Sequence, residues 1–431
     1  MNSSHVITVF EHSRLNIGEQ GFEERHFETL VKYNDLHQSK YFNVGHKKIT
    51  FKSYVGLIQV GNKTIEILPK ADRNNNSDEN NISKWQRALL YMLRKAGYIK
   101  INEASSVSQH TQNANLLDIY LRAFLQETEQ LIHKGLVKKY KKAQANLSVL
   151  KGRLLIGKQL QHNLLHKERF FTEHTNYTKD NLYNRILKSA LEIVTDISFK
   201  SDIVHDAKRL LLYFEDVESW RQDASDLGKL KLDRKTFVYK DALVLAEMII
   251  LNYCPAFKSG QQQMLALLFD MNVLFEKFIY KTLKEMESEF GESELFVTAQ
   301  NSQQFWAHKT IRPDILVTFK KGDAAQNVII DTKWKIVDED YPSDRDLQQM
   351  FTYNVQFNSN HAILLYPSIG QNNVGKKAYR ASGGIKDFVH SCEMYFMELF
   401  EPSQNIINRD FGQKFIKYLM EQSSDNTDPV K

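Results

Sequence analysis

Hydrophobic and polar positions along the chain change their period twice, and these changes divide it into three regions. From Tyr54 to Pro69, apolar and polar residues roughly alternate on both sides of Gly61-Asn62, which predicts two strands joined by a two-residue turn. A helical period follows from Ser83, the expected N-cap, to Gly97, the expected stop. We therefore expect residues 1–105 to form a β-rich domain.

Residues 106–255 are expected to be mainly helical. Apolar residues recur at helical spacing from Leu116 to Lys134, from Leu182 to Ile197 and from Asp241 to Tyr253. A basic stretch, residues 133–142, follows the first of these segments, and cations favour the C-terminal end of a helix. The middle region is therefore predicted as a helical domain.

From residue 256 onward the period alternates between helix and strand. Helical spacing from Gln262 to Phe290 and from Asp346 to Tyr353 accompanies short aliphatic runs at 295–297, 315–317, 328–330 and 363–365. This alternation predicts an α/β domain over residues 256–421, with a mixed sheet flanked by helices, followed by a polar tail at 422–431. The whole chain is then α+β.

Composition narrows the class of protein. The 431 residues carry a formal net charge of +5, which permits nucleic-acid binding without requiring it. The two cysteines, Cys254 and Cys392, are too few for a disulfide framework or a cysteine-based zinc site, and they fit a reducing cytoplasm. We expect no membrane span, because no uninterrupted run of about 18 apolar residues occurs. We also expect no nucleotide to be bound by this chain itself, because it lacks a GxxxxGKS/T phosphate loop.

Two aspartates and a lysine lie at the ends of neighbouring predicted strands. Asp314 follows Arg312-Pro313 and precedes one aliphatic run. After 16 intervening residues (331 − 314 − 1), Asp331 ends the next run. Adjacent strands would bring both carboxylates to one edge of the sheet, and Lys333, two residues past Asp331, would point to the same face. Such a set suits metal-dependent phosphodiester hydrolysis, because Mg²⁺ prefers oxygen ligands and acidifies a bound water.

Other residues are candidates to complete this site. The backbone carbonyl of Thr332 is positioned to be a further metal ligand. Glu276 lies within an otherwise apolar helical segment and is a candidate for the same metal. Gln349 and Tyr353 are four residues apart on a predicted helix, and together with Arg312 they are candidates to brace the site or contact the DNA backbone.

Several segments of the chain resemble the McrC family, the nuclease subunit of McrBC-type modification-dependent restriction systems. The most specific segments are DMNVLFEKFIY (270–280), RPDILV (312–317), IIDTKWK (329–335) and QMFTY (349–353). Three others are also similar to family patterns, namely GLIQVGNKTIEILPK (56–70), LKGRLLIGKQL (150–160) and DNLYNRILKSAL (180–191).

The resemblance implies a fold, an activity and partners. The C-terminal domain would be a PD-(D/E)xK endonuclease in which Asp314 and Asp331 bind Mg²⁺, replaceable by Mn²⁺. Lys333 would be the catalytic lysine, and Glu276 would match the family's helical acidic residue. The N-terminal domain would dock into a ring of McrB, an AAA+ GTPase that recognises methylated cytosine, and would stimulate its hydrolysis. Such a restriction complex would act on DNA in the cytoplasm.

Contacts with the partner and with DNA have separate candidates. On sequence grounds alone the Gly61-Asn62 turn is structural, and only the resemblance makes Gly61, Asn62 and Lys63 candidate partner contacts. Basic residues of the middle region are candidates to contact DNA phosphates, with a solvated surface as the alternative interpretation. They are Lys138, Lys139, Lys141, Lys142, Lys151 and Arg153.

Two other functions stay open at this point. A stand-alone repair or recombination nuclease of the same fold would cut DNA without a partner. A non-catalytic activator of the motor would keep its function when the acidic residues are replaced.

Overall fold

The computed structural model describes residues 6–70, 79–99, 115–220, 230–254, 263–291, 294–321, 324–337, 341–368, 372–380, 389–401 and 406–424. The predicted boundaries at 105/106 and 255/256 lie outside these segments, as does the predicted tail beyond residue 424. The chain folds into two compact units. The first comprises residues 1–58, 63–99 and 268–431, and the second comprises residues 59–62 and 100–267.

The strands have the following bounds: β1 Val6–Phe10, β2 Arg14–Asn16, β3 Phe42–Gly45, β4 Lys48–Phe51, β5 Tyr54–Val60, β6 Lys63–Leu68, β7 Lys139–Leu147, β8 Arg153–Leu154, β9 Phe170–Thr178, β10 Tyr253–Cys254, β11 Met264–Asp270, β12 Leu295–Ala299, β13 Gln303–Trp306, β14 Lys309–Ile311, β15 Ile315–Lys321, β16 Ala324–Thr332, β17 Ser359–Pro367, β18 Val374–Ala378 and β19 Ser391–Met397.

The α-helices have the following bounds: α1 Glu24–Leu36, α2 Glu79–Lys95, α3 Leu116–Lys134, α4 Ile156–Asn163, α5 Leu182–Ile197, α6 Ser201–Leu211, α7 Lys240–Leu251, α8 Met271–Phe290, α9 Asp344–Gln356 and α10 Phe411–Ser424. Within the described segments, no helix combines the length and the apolar character needed to cross a lipid bilayer.

A six-stranded mixed sheet in the first unit carries the predicted site. Its order is β12-β15-β16-β17-β19-β18, with β15 antiparallel to both β12 and β16, and β17 parallel to both β16 and β19. Helix α9 begins at its N-cap Ser343, whose side chain accepts a hydrogen bond from the backbone N–H of Asp346. Its buried Met350 packs with Ile329 and Leu364 on one face of the sheet. The predicted mixed α/β architecture is confirmed.

The predicted hairpin at residues 54–69 is also present. β5 and β6 are neighbours in their sheet and are joined by Gly61-Asn62, with Gly61 at a φ of 53°. The expected alternation of burial is absent, because every position of β6 and all but the first of β5 are buried. Polar residues such as Lys63 and Glu66 are therefore buried in this sheet.

Three local predictions were wrong, wholly or in part. Ser83 lies inside α2, which begins at Glu79, so it is not the N-cap. The segment predicted as one helix from Gln262 begins as strand β11, because a continuous apolar run fits a buried strand as well as a helix. The third prediction was wrong in part: His133 and Lys134 of the basic stretch end helix α3, but Lys139, Lys141 and Lys142 lie on β7.

The middle region is accordingly less helical than predicted. Helices α3 and α5 match their predicted bounds, Leu116–Lys134 and Leu182–Ile197. Between them lies a three-stranded sheet of order β7-β9-β8, in which β7 pairs with β9 along its whole length. Small residues such as Ala143 and Ala145 provide the less exposed positions of β7, so its hydrophobic periodicity is weak.

Candidate active site

Asp314 and Asp331 lie side by side where two antiparallel strands meet. Asp314 directly precedes β15, Asp331 is the second-last residue of β16, and the register pairs Ile315 with Ile330. The carboxylate Oδ2 of Asp314 accepts hydrogen bonds from the backbone N–H of Thr332 at 2.8 Å and from its Oγ1 at 2.9 Å. The pairing of the strands therefore holds the two aspartates at one edge of the sheet.

Lys333 contacts two carboxylates at this edge. Its Nζ lies 2.6 Å from Oδ2 of Asp331 and 3.6 Å from Oδ1 of Asp346. The backbone N–H of Lys333 donates to the carbonyl of Leu365 at 2.9 Å, which continues the pairing of β16 with β17. Lys335 reaches the other oxygen of Asp346 at 2.9 Å. Lys333 and Lys335 thus both contact Asp346, in the first turn of α9.

A chain of hydrogen bonds connects α9 to both aspartate-bearing segments. Nε2 of Gln349 donates to Oδ1 of Asp331 at 3.3 Å and to the hydroxyl of Tyr353 at 2.9 Å. The Tyr353 hydroxyl in turn donates to the carbonyl of Arg312 at 3.0 Å. The Arg312 side chain itself is exposed. Gln349 and Tyr353 therefore brace the two segments that carry Asp314 and Asp331.

Glu276 reaches the same edge from α8. Nε2 of Gln300 donates to Oε1 of Glu276 at 2.7 Å, and the backbone N–H of Gln300 donates to the carbonyl of Asp314 at 2.9 Å. Gln300 follows β12 and has a φ of 51°, in the left-handed region that few non-glycine residues adopt. The structure thus brings Glu276, Asp314, Asp331 and Lys333 together.

The carboxylates of the site oppose each other's ionisation. Burial, and then the charge of Asp314, raises the pKa of Asp331 to about 7. Burial and Asp314 also raise the pKa of Glu276. Burial acts to lower the pKa of Lys333, but the surrounding carboxylates, Asp331 foremost, outweigh it and leave that pKa raised. The site therefore holds more negative charge than one lysine neutralises.

This donor set fits a divalent cation of the Mg²⁺ type. Within the described segments, no cluster of three or more His, Cys, Asp or Glu side chains is arranged to hold a metal ion by itself. Mg²⁺ does not need one, because it is commonly bound through one or two carboxylates, with water and substrate phosphate completing its shell. A cation held by Asp314 and Asp331 would also offset their mutual repulsion, which after burial is the largest cause of the raised pKa of Asp331.

A comparison with protein families assigns the chain to one of them. A family model described as McrBC 5-methylcytosine restriction system component matches residues 49–367, which is about three quarters of the chain. The chain belongs to this family. The matched residues include those that carry the resemblance to McrC, which is thereby confirmed. No curated protein matches the sequence.

Two solved structures have the same fold as this McrBC component. One is a refined half-complex from a tetradecameric assembly of Thermococcus gammatolerans McrB AAA+ hexamers with bound McrC. It matches with a TM-score of 0.68 and 18% identity, over 96% of this chain and 100% of the other. The second is a cryo-EM structure of the T. gammatolerans McrBC complex, with a TM-score of 0.50 and 20% identity, over 64% and 87% of the two chains.

The basic residues predicted to contact DNA lie in the second unit of this McrBC component. Lys139 is 3.7 Å from Asp233, and Lys141 is 2.8 Å from Asp180, so both have carboxylate partners within the unit. Lys151 donates to Asn176 at 3.0 Å. Lys138, Lys142 and Arg153 are exposed, the first with its Nζ above the Tyr177 ring. Their contact with DNA stays a prediction.

The residues predicted to contact the partner differ in exposure. Asn62 is exposed, whereas Gly61 is half-buried and its N–H donates to the carbonyl of Gln263 at 2.9 Å. Lys63 is buried within β6. A surface contact at this turn is therefore most direct at Asn62.

Sequence reasoning missed three residues that shape the site. Gln300 and Asp346 contact the predicted residues directly. The third, Glu11, is buried and its Oε1 accepts hydrogen bonds from Nε1 of Trp334 at 2.6 Å and from the N–H of Lys70 at 2.8 Å. Trp334 directly follows Lys333, so the N-terminal strand β1 is connected to the segment that carries the predicted lysine.

Proposed function

We propose that this chain is the metal-dependent DNA endonuclease subunit of a McrBC-type restriction complex, built on a PD-(D/E)xK core. The observation that carries the proposal is the convergence of Asp314, Asp331 and Lys333 at one sheet edge, with Lys333 2.6 Å from Asp331. The family match supports the restriction system as the setting.

Each residue of the site has a role in this proposal. Asp314, Asp331 and the carbonyl of Thr332 hold Mg²⁺, for which Mn²⁺ can substitute, and Glu276 adds negative charge beside them. When bound, the cation supplies an activated water and neutralises charge on the scissile phosphate. Lys333 places a positive charge where the phosphate oxygens gain negative charge. Gln349 and Tyr353 keep the two aspartate segments in register, and exposed Arg312 contacts the DNA backbone.

The partner in this proposal is an AAA+ GTPase ring. The sequence has no phosphate loop, so hydrolysis of a nucleotide must be supplied by another chain. One T. gammatolerans structure holds McrB AAA+ hexamers with bound McrC, and by analogy this chain binds such a ring and stimulates its GTPase. The family description points to DNA containing 5-methylcytosine as the substrate.

The experiment combines the full chain with its GTPase, GTP, Mg²⁺ and methylated or unmethylated DNA. We expect cleavage of methylated DNA that depends on all components and stops with EDTA. Lys333→Ala should reduce cleavage at least about 10³-fold, since several kcal/mol of charge stabilisation are lost. It should still stimulate GTP hydrolysis.

A matched control is Lys417→Ala, which removes one exposed lysine from α10 of the same unit. It should cut like the wild type. Cleavage by Lys333→Ala at the wild-type rate would overturn the proposed catalytic site. Efficient cleavage by the isolated chain would instead favour a stand-alone nuclease, and full biological function of Lys333→Ala would favour a non-catalytic activator.

A further inference from the structure

A two-stranded hairpin projects from the edge of the sheet that holds the candidate site. Among the residues that the structure describes, strands β13 and β14 pair only with each other. They lie between Gln300, which follows β12, and Asp314, which precedes β15. The base of the projection is closed by the hydrogen bond from Gln300 N–H to the Asp314 carbonyl at 2.9 Å. Both residues belong to the site, so the hairpin emerges directly from it.

The hairpin exposes two large aromatic side chains. Phe305 is 52% exposed and Trp306 is 71% exposed. The register passes from Gln304–Thr310 to Trp306–Lys309, so Phe305 is the extra residue of a β-bulge. A bulge redirects side chains, and bulges are common beside functional sites. Phe305 and Trp306 are adjacent and form an exposed apolar patch on the hairpin, and such patches mark contacts with other molecules.

The charge of the hairpin indicates which kind of molecule its aromatic side chains contact. No Asp or Glu occurs between Gln300 and Asp314, whereas Lys309 and Arg312 are both exposed there. The neighbouring site carries several carboxylates, whereas this segment carries only positive charge. The positive charge therefore belongs to the hairpin and not to the site as a whole. Aromatic side chains that stack on bases or wedge between them, next to lysines that bind phosphate, are a recurrent means of holding DNA.

The hairpin is also held in place at its base. Nε2 of Gln356, in the last turn of α9, donates to Oε1 of Gln303 and to the carbonyl of Gln304, each at 3.4 Å. Helix α9 is the same helix that supplies Gln349 and Tyr353 to the site. The position of the hairpin is therefore linked to that of the site through one helix.

We propose that the hairpin Gln303–Ile311 holds the DNA beside the scissile phosphate, with Trp306 stacked on or between bases and Lys309 on a phosphate. This inference rests on the proposed nuclease function and adds a substrate contact to it. From Gln300 to the turn at Ala307, seven residues at about 3.3 Å each reach about 23 Å. At about 3.4 Å per base pair, the contact lies within about seven base pairs of the cut.

The test measures the affinity of the full chain for a fluorescein-labelled 30-base-pair duplex, by anisotropy in Ca²⁺. We expect Trp306→Ala to weaken binding about tenfold, as loss of one stacked base does. Trp306→Phe should recover most of the affinity because it keeps a stacking face. Lys309→Ala should weaken binding and lower the slope of log affinity against log salt by about 1. Lys417→Ala, at an exposed position of α10, is the matched control and should change neither quantity.

The outcomes separate this inference from the proposed function. Wild-type affinity and wild-type cleavage in Trp306→Ala and Lys309→Ala would overturn the hairpin contact while leaving the nuclease intact. A wild-type chain that does not bind the duplex, and that does not cut DNA when combined with its GTPase, GTP and Mg²⁺, would overturn both. If Trp306→Ala instead weakened binding to the GTPase, or self-association measured by light scattering, with DNA affinity unchanged, the hairpin would be a protein contact and the proposal would be wrong.

Discussion

Two buried carboxyl groups of the first unit, Asp331 at the candidate site and Glu11 directly after β1, share a raised pKa but differ in the groups that surround them. Asp331 is 2% exposed and Glu11 is 1% exposed. Burial is the largest cause of a raised pKa in both, and each pKa is about 7. Burial and pKa alone therefore do not distinguish the two groups.

Their neighbours differ. Glu11 accepts hydrogen bonds from the N–H of Lys70 and from Nε1 of Trp334, which act to lower its pKa, and the charge of Asp270 raises it by less than either hydrogen bond lowers it. Asp331 has like-charged Asp314 as the second cause of its raised pKa, and the ammonium of Lys333 beside it. A buried carboxyl group with a raised pKa therefore points to a cation site where like charge is the chief cause after burial. Glu11 has the surroundings of a structural group, whereas those of Asp331 fit the proposed metal site.

The largest expected effect is the loss of cleavage in Asp331→Asn. The amide is a poor ligand for a divalent cation in place of the carboxylate, so the rate of DNA cleavage should fall at least about 10³-fold. The free energy of unfolding at pH 8 should not fall, because the fold no longer ionises a buried carboxyl group whose pKa is raised. Cleavage assays and urea denaturation measure the two quantities.

Glu11→Gln is the matched comparison at the other carboxyl group, because it removes the charge and keeps the length of the side chain. It should leave cleavage within a few-fold of the wild type at neutral pH, since its amide oxygen can still accept from Trp334. If Glu11→Gln abolished cleavage and Asp331→Asn did not, the assignment of the two carboxyl groups would be reversed.

The second effect is a pH dependence of stability that depends on Glu11. Its pKa is about 7 in the folded chain against an ordinary 4.5, so the unfolded chain ionises first as pH rises. The fold should therefore lose on the order of 3 kcal/mol between about pH 4.5 and pH 8 through this group alone. Glu11→Gln removes the ionisation, so it should be the more stable protein at pH 8 and nearly equal to wild type at pH 4.5.

Denaturant unfolding of both proteins at several pH values measures this difference. Glu24→Gln, at an exposed position of α1, is the control and should keep the loss of stability that Glu11 causes as the pH rises from 4.5 to 8. A Glu11→Gln variant whose stability stays parallel to the wild type from pH 4.5 to pH 8 would contradict the raised pKa.

The third effect concerns Asp346, the other acidic contact of Lys333. Lys333 lies 2.6 Å from Asp331 and 3.6 Å from Asp346, so the two carboxylates share the ammonium. In Asp346→Asn, Lys333 is held by Asp331 alone and competes with a cation there. We expect the rate of cleavage to fall about tenfold, which corresponds to about 1.4 kcal/mol of activation free energy. Half-saturation should also require a higher concentration of Mg²⁺.

Asp344→Asn removes the same charge from the same helical turn at an exposed position. It controls for the favourable interaction of an acidic residue with the N-terminus of α9. Equal Mg²⁺ requirements in the two variants would mean that Asp346 acts only on the helix and not through Lys333.

The sequence predicted the site best where a short-range pattern determined the geometry. Two aliphatic runs separated by a short connection form adjacent strands, and this alone brought Asp314 and Asp331 together. The two-residue period then directed Lys333 to the same side. The proximity of Gln349 to Tyr353 was predicted from their four-residue spacing on one face of a helix.

Contacts that depend on distant chain segments could not be predicted in this way. Glu11 and Trp334 are 323 residues apart, and no local pattern connects them. Asp346 looked ordinary, because an acidic residue in the first turn of a helix is common. Strand β7 could not be predicted because its charged and small residues give little hydrophobic contrast. The lysines at its start resemble the basic residues that commonly end a helix.

The smallest expected effect is that of Tyr353→Phe, which removes one hydroxyl and keeps the ring. The hydroxyl accepts from Gln349 at 2.9 Å and donates to the carbonyl of Arg312 at 3.0 Å, so its loss frees the Asp314 segment from α9. One such hydrogen bond contributes about 1 kcal/mol, and cleavage should fall about fivefold at an unchanged Mg²⁺ requirement. Tyr341→Phe, at an exposed tyrosine before the same helix, should cut like the wild type. An unchanged rate in Tyr353→Phe would mean that the strand pairing alone aligns the two aspartates, and that α9 contributes to the site only through Gln349 and Asp346.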